Sequence, residues 1–181
     1  MSVKVSVFIA TSLDGFIART NGEVDWLDQA SEKVPEGEDH GFAEFMSSVD
    51  TLVMGRNTYE KVLSFGQWPY GETPVIVLSR NPIEFPSRLP ETLSHSSDAP
   101  QTLSDKLADQ GRAHVYLDGG NTIQRFLSVG LVDEITVSII PVIIGSGIPL
   151  FGPTTEDISL HCLSSKAFDS GIVQVKYAVN R

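Results

Sequence analysis

The chain has 181 residues, 41% of them hydrophobic, enough for one domain spanning 1–181 with a substantial core. Its 23 acidic residues outnumber 13 scattered basic ones, for a formal net charge of −10 and a pI near 4.7, which argues against a nucleic-acid or anionic-membrane surface. A single cysteine, Cys162, excludes an internal disulfide and has no CxxC partner for zinc, and no apolar run approaches the roughly 20 residues that span a bilayer. No metal, no membrane partner and a cytoplasmic location are therefore expected, the more so because MSVKVSVFIATSLDG alternates like a strand and lacks a strong basic region.

Residues 3–10 read as a first strand, ended by the turn-like SLDG at 12–15, and 16–37 as a loop rich in Gly, Asp and Glu. From His40 to Ser48 the apolar Phe42, Phe45 and Met46 fall on one helical face, and 51–55 (TLVMG) follows as a buried strand. A helix is expected over 58–65, a strand over 74–79, a Pro- and Ser-rich connection over 81–100 and a short amphipathic helix over 102–110. The strand 114–120 runs into a glycine pair, a helix covers 122–129, and 133–145 and 172–179 form late strands. Strands alternating with helices, closed by a strand-rich end, predict an α/β fold with a mostly parallel sheet and an antiparallel C-terminal edge.

Three segments have strand–turn–helix form: 51–60, 76–81 and 115–126. A helix start presents unpaired N–H groups and partial positive charge, and ligands of open parallel sheets collect beyond the carboxyl ends of the strands. Arg56 and Arg80 directly follow two of these strands, where each could fork onto a phosphate such as the 2′-phosphate that separates NADPH from NADH. Singly, a strand-end glycine is ordinary turn chemistry and an arginine is ordinary surface; the adjacent Gly119 and Gly120 are more specific, since they permit close backbone approach. Neither GxGxxG nor GxxxxGK[ST] is present, so the residues by themselves point to an anion-binding α/β domain of no standard type.

The segments SLDGFIA (12–18), VDWL (24–27), DTLVMGRNTYE (50–60), VLSR (77–80), YLDGGNTIQRFL (116–127) and PVIIGSGIPLF (141–151) together resemble, in this order, the dihydrofolate-reductase-like family. The resemblance is closest to stand-alone homologues of the riboflavin-pathway reductase domain. It implies a three-layer α/β/α fold and an NADPH-dependent reductase acting on a flat pteridine- or pyrimidine-like heterocycle; the alternative is a nucleotide-binding module of the same fold without turnover. By the same resemblance Ala10 and Ile17 flank the nicotinamide, and Gly55, Arg56, Asn57 and Thr58 hold the phosphate side. Leu78, Ser79 and Arg80 reach the 2′-phosphate, and Gly119, Gly120, Asn121 and Thr122 cradle the pyrophosphate. Dihydrofolate reductases place a carboxylate on the helix before the GRxT strand; the matching window here holds Asp39 and Glu44. Asp118 matches an acid that contacts substrate in riboflavin reductases, Trp26 a wall of the substrate pocket, and Asp14 either a ligand or an Asx-turn residue. The D-x-P-like continuation of riboflavin reductases is absent after Thr58, as is the H-x-E and P-C-x-x-C signature of a deaminase partner domain.

Residues 135–151 carry more Ile and Val than an exposed sheet edge tolerates in water, and Pro141 sits poorly in a sheet centre. This predicts a homodimer through that segment, the alternative being a central strand covered on both faces.

Overall fold

The computed structural model describes residues 2–180. Its frame is an eight-stranded sheet in the order β5-β4-β3-β6-β1-β7-β10-β9, formed by β1 (Lys4–Ser12), β3 (Thr51–Gly55), β4 (Val75–Leu78), β5 (Leu93–Ser96), β6 (His114–Asp118), β7 (Glu134–Ile140), β9 (Leu160–Ala167) and β10 (Val173–Val179). The six strands from β5 to β7 are parallel, and β10 and β9 add antiparallel to them. The expected mostly parallel sheet with an antiparallel edge is what the chain forms. A second, two-stranded sheet pairs β2 (Phe16–Ala18) with β8 (Ile148–Pro149).

Helices cover both faces, as right-handed crossovers in opposite directions along the sheet require. α4 (Pro100–Asp109) and α5 (Gly120–Leu127) lie on one face, where Leu103, Leu107, Ile123 and Phe126 pack on Val5, Val7, Val53, Leu117 and Ile135. On the other, α2 (Phe42–Ser48) and α3 (Arg56–Ser64) meet Leu52, Met54 and Tyr116 through Phe42, Phe45 and Tyr59. α1 (Asp25–Ser31) adds Trp26, packed with Ala10 and Ile140.

Several boundaries differ from the sequence expectation, each for a local reason. The 16–37 loop contains β2 and α1, whose few apolar residues carry no clear period. The helix expected over 58–65 begins at Arg56, because Gly55 in an extended conformation serves as its N-cap. β5 interrupts the connection 81–100. The late strand ends at Ile140, before Pro141, and it is interior, paired on one side with β1 and on the other with β10. The apolarity of 135–140 is thus that of a central strand, and the edge argument does not apply to it. On this side of the sheet the edge strand is β9, all eight of whose residues are exposed.

Candidate functional site

The carboxyl ends of β3 and β6 bring two helix starts side by side. Gly55 caps α3 and Gly119, at φ 94°, precedes α5. A Cβ on Gly119 would overlap Thr58 Oγ1; one on Gly55 would lie 3.1 Å from Thr122 Oγ1. The two junctions are thereby interlocked, each glycine making room for the other junction's threonine. On Gly120 a Cβ would meet Ile17 Cδ1 at 2.9 Å and the Pro149 carbonyl at 3.1 Å, so the β2–β8 pair closes over the same point. The first intrahelical bond of α5 is donated by the Ile123 N–H to the Gly119 carbonyl, leaving the amides of Gly120, Asn121 and Thr122 as the free first turn. The predicted residues Gly55, Asn57, Thr58, Gly119, Gly120, Asn121, Thr122 and Ile17 are brought together, in an arrangement that offers two helix dipoles and a set of free N–H donors to an anion.

Arg56 and Arg80 stand exposed at the ends of β3 and β4, beyond the buried Leu78. Arg56 Nε donates to Glu60 Oε1 at 2.8 Å, an exposed pair one helical turn apart. Such pairs are worth about 0.3–0.5 kcal/mol, so the guanidinium is readily exchanged onto a phosphate. The Ser79 carbonyl is held 2.8 Å from His95 Nε2, and the Ser79 hydroxyl accepts the Asn81 N–H at 3.3 Å, a compact turn from which Arg80 projects.

Asp118 ends β6, and its side chain shares a sheet face with Tyr116, Met54 and Phe8 by strand alternation and register. Its Oδ1 accepts the Gly119 N–H at 2.8 Å. Burial pushes this carboxyl up from 3.8 to about 6, only partly offset by that hydrogen bond. Tyr116, behind it, donates to the Phe8 carbonyl at 3.0 Å. Ala10 continues the same face beyond Phe8 and packs with Trp26, which is 3% exposed and whose indole N–H meets no acceptor among the described residues.

Asp39 and Glu44, the acids of the window before β3, both lie exposed at the start of α2. Asp39 is exposed, and its carboxylate caps the turn into α2, accepting the N–H groups of Ala43 at 2.7 Å and Gly41 at 2.9 Å. Those bonds hold its carboxyl below the usual range, so it stays ionised. Glu44 is exposed in the first turn of α2, where a carboxylate favours the helix dipole. Asp14 is a strut: its two oxygens accept the Ile144 N–H at 3.2 Å and the Gly145 N–H at 2.8 Å, tying the β1–β2 turn to the segment after β7. Its carboxyl is lowered chiefly by the Ser12 side chain, with the two amides adding to the effect.

The site contains one residue that sequence reasoning passed over. Tyr70, in the loop GQWPYGET between α3 and β4, packs in the same cluster as Tyr116 and Phe8, and burial, with a smaller contribution from the Asp118 charge, raises its phenol. The signal was present as three aromatic residues, Phe65, Trp68 and Tyr70, in a segment otherwise built for a turn.

The sheet order, the interlocked strand–helix junctions and the enclosed acid beside them define a dihydrofolate-reductase-like fold. Residues 3–174 match the RibD C-terminal domain family, and the chain belongs to it. It is 33% identical over 181 residues to the uncharacterized protein YwjB of Bacillus subtilis (strain 168), with 98% of each chain covered. A putative riboflavin biosynthesis protein from Shewanella sp. PV-4 superposes with a TM-score of 0.91 at 38% identity, over 100% of both chains. The dihydrofolate reductase from Enterococcus faecalis, solved with NADP(H), superposes with a TM-score of 0.65 at 15% identity, again over 100% of both, and shows the shared fold. Family and fold together support a reductase of this architecture.

Proposed function

We propose that this protein is an NADPH-dependent reductase that delivers hydride to a flat nitrogen heterocycle of the pteridine or pyrimidine kind, with Asp118 as its proton donor. The observation that carries the reading is the position of Asp118: an enclosed carboxyl, raised to about 6, one residue from the Gly119–Gly120 junction. A general acid must hold a proton near neutral pH and sit against the reacting face; Asp118 suits both, whereas Asp39 is held ionised by two amides and Glu44 is exposed at the start of α2. The donor set fits a dinucleotide: the free first turns of α3 and α5 would take the pyrophosphate, Arg56, Ser79 and Arg80 the 2′-phosphate, and Ala10 and Ile17 the nicotinamide ring. When bound, NADPH supplies the hydride. The chain's own part is to hold the ring over Ala10, exclude water with the β2–β8 clasp pinned by Asp14, and pass the Asp118 proton to a ring nitrogen of the acceptor.

The test is absorbance at the reduced-nicotinamide band with a panel of pterins and aminopyrimidines. At least one acceptor is expected to drive NADPH oxidation, and Asp118→Asn to bind NADPH normally while losing a factor of about 10²–10⁴ in rate. NADPH affinity with no oxidation by any acceptor would leave a nucleotide-binding module; equal rates for the Asn variant would remove Asp118 from the chemistry.

We also propose a homodimer, supported by the exposed apolar face that β10 and β9 present, with Leu160 and Val173 open to solvent.

A further inference from the structure

We propose that Tyr70 is a substrate-positioning residue of this site, its phenol donating a hydrogen bond to a ring carbonyl that neighbours the nitrogen facing Asp118. The inference rests on the reductase reading above. It starts from how firmly the side chain is held. The Thr73 N–H donates to the Tyr70 carbonyl at 3.1 Å, closing a turn that contains Gly71 at φ 53°. Trp68 lies edge-on to the Tyr70 ring at 5.2 Å between centroids, Tyr59 lies edge-on to Trp68 at 6.3 Å, and Phe85 meets Tyr59 at 5.5 Å. Tyr59 is 3% exposed and anchored in the core beside Leu52 and Met54, so a chain of aromatic contacts runs from the core to Tyr70.

The polar end of Tyr70 is what this support presents. The Tyr59 hydroxyl and the Trp68 indole N–H are both sealed without a partner, whereas the Tyr70 hydroxyl is not among the sealed polar atoms, and none of the described residues hydrogen-bonds it. A phenol that is largely enclosed, rigidly propped and left without an internal partner has a donor to give to something that arrives. Asp118 lies on the sheet face against which Tyr70 packs, opposite Met54 and two residues along the strand from Tyr116, with one oxygen committed to the Gly119 N–H and the other free. A proton donor to nitrogen next to a donor to oxygen matches a heterocycle edge in which a ring nitrogen is flanked by a carbonyl. Two such points fix the in-plane rotation of a flat ring, which apolar packing on its faces alone leaves undetermined.

The experiment compares the wild type with Tyr70→Phe, which removes one oxygen and keeps the ring against Trp68. Calorimetric titration is run with NADPH, and then at saturating NADPH with 5-aminouracil, which has the carbonyls, and with 5-aminopyrimidine, which lacks them. Unchanged NADPH affinity, a loss of about tenfold for 5-aminouracil and equal binding of 5-aminopyrimidine by the two proteins are expected. A merely structural tyrosine would weaken both small ligands alike, and that result overturns the assignment, as does equal affinity of the two proteins for 5-aminouracil or a wild type that does not bind it. Absence of NADPH binding to the wild type would instead remove the reductase reading, a separate outcome of the first titration.

Discussion

Folding and the proposed chemistry both depend on the Asp118 proton. Its carboxyl rises from 3.8 to about 6 on burial, so between those values the folded protein holds a proton that the unfolded chain has released. Stability therefore falls as pH rises through roughly 4 to 6, by ~3 kcal/mol at about 1.4 kcal/mol per pH unit, and stays lowered above that window. Asp118→Asn keeps an acceptor for the Gly119 N–H and removes the buried charge. Thermal unfolding at pH 8 is expected to show the variant more stable than the wild type, with the difference shrinking towards pH 4; equal melting temperatures at pH 8 would mean that the carboxyl is well solvated. The reaction needs the same proton, and kcat/KM should likewise fall as pH rises above about 6 while the acid is lost. The arginines are a second single-residue case. Replacing Arg56 and Arg80 together by Ala should erase roughly 1.5–3 kcal/mol of a preference for NADPH over NADH, read by titration with both nucleotides. A wild type that binds the two nucleotides equally would discard the 2′-phosphate assignment.

At the scale of elements, the strand–helix junctions carry the site, and their glycines answer to the protein as much as to any ligand. Gly119 combines φ 94° with a Cβ position already occupied by Thr58 Oγ1, so Gly119→Ala is expected to cost roughly 2–4 kcal/mol of stability whether or not nucleotide is present. Thr58→Ala in the same chain should return part of that loss, since it removes the overlap but not the unfavourable φ; denaturant midpoints of the single and double variants measure both, and no recovery would mean that the overlap is not the cause. These junctions were legible in the sequence because TLVMG, VIVL and HVYLD are continuous apolar strands, and because glycine, arginine and threonine act at their own positions. What was not legible depends on partners far away in sequence. β9 has both faces in water and so carries no alternating pattern, while β2 and β8 are too short to show one. Proposing Asp118 over Asp39 and Glu44 rests on placement: residue type and helix phase do not reveal that Asp39 is consumed by two backbone amides and that Asp118 is half-buried at the end of β6.

For the whole molecule the open question is what meets the β7–β10–β9 side of the sheet. By register, Val137 and Ile139 of β7, Val173, Val175, Tyr177 and Val179 of β10, and Leu160 and Cys162 of β9 share one face, continuing from Ile135, which α5 covers. Beyond α5 these side chains are half-exposed or exposed, with Leu160 at 40% and Val173 at 38%. Alongside runs a cavity of about 180 Å³ lined by Leu127, Ile135, Phe151, Ile158 and Leu160. An apolar face of this breadth ending in an unprotected edge strand would invite uncontrolled pairing in a monomer. A second copy related by twofold symmetry would cover the face with its own identical one, and burying at least ~1,000 Å² in total would hold the pair together at micromolar concentration. The proposed dimer therefore uses β9 and β10, where the sequence pointed to 135–151. Light scattering after size exclusion should give twice the mass of one chain, and Leu160→Lys with Val173→Lys, both at exposed positions that leave the core untouched, should shift it to a single chain with the unfolding midpoint of each protomer little changed. A wild-type mass of one chain across a dilution series would refute the dimer, and a double-lysine variant that stays dimeric would move the interface off this face.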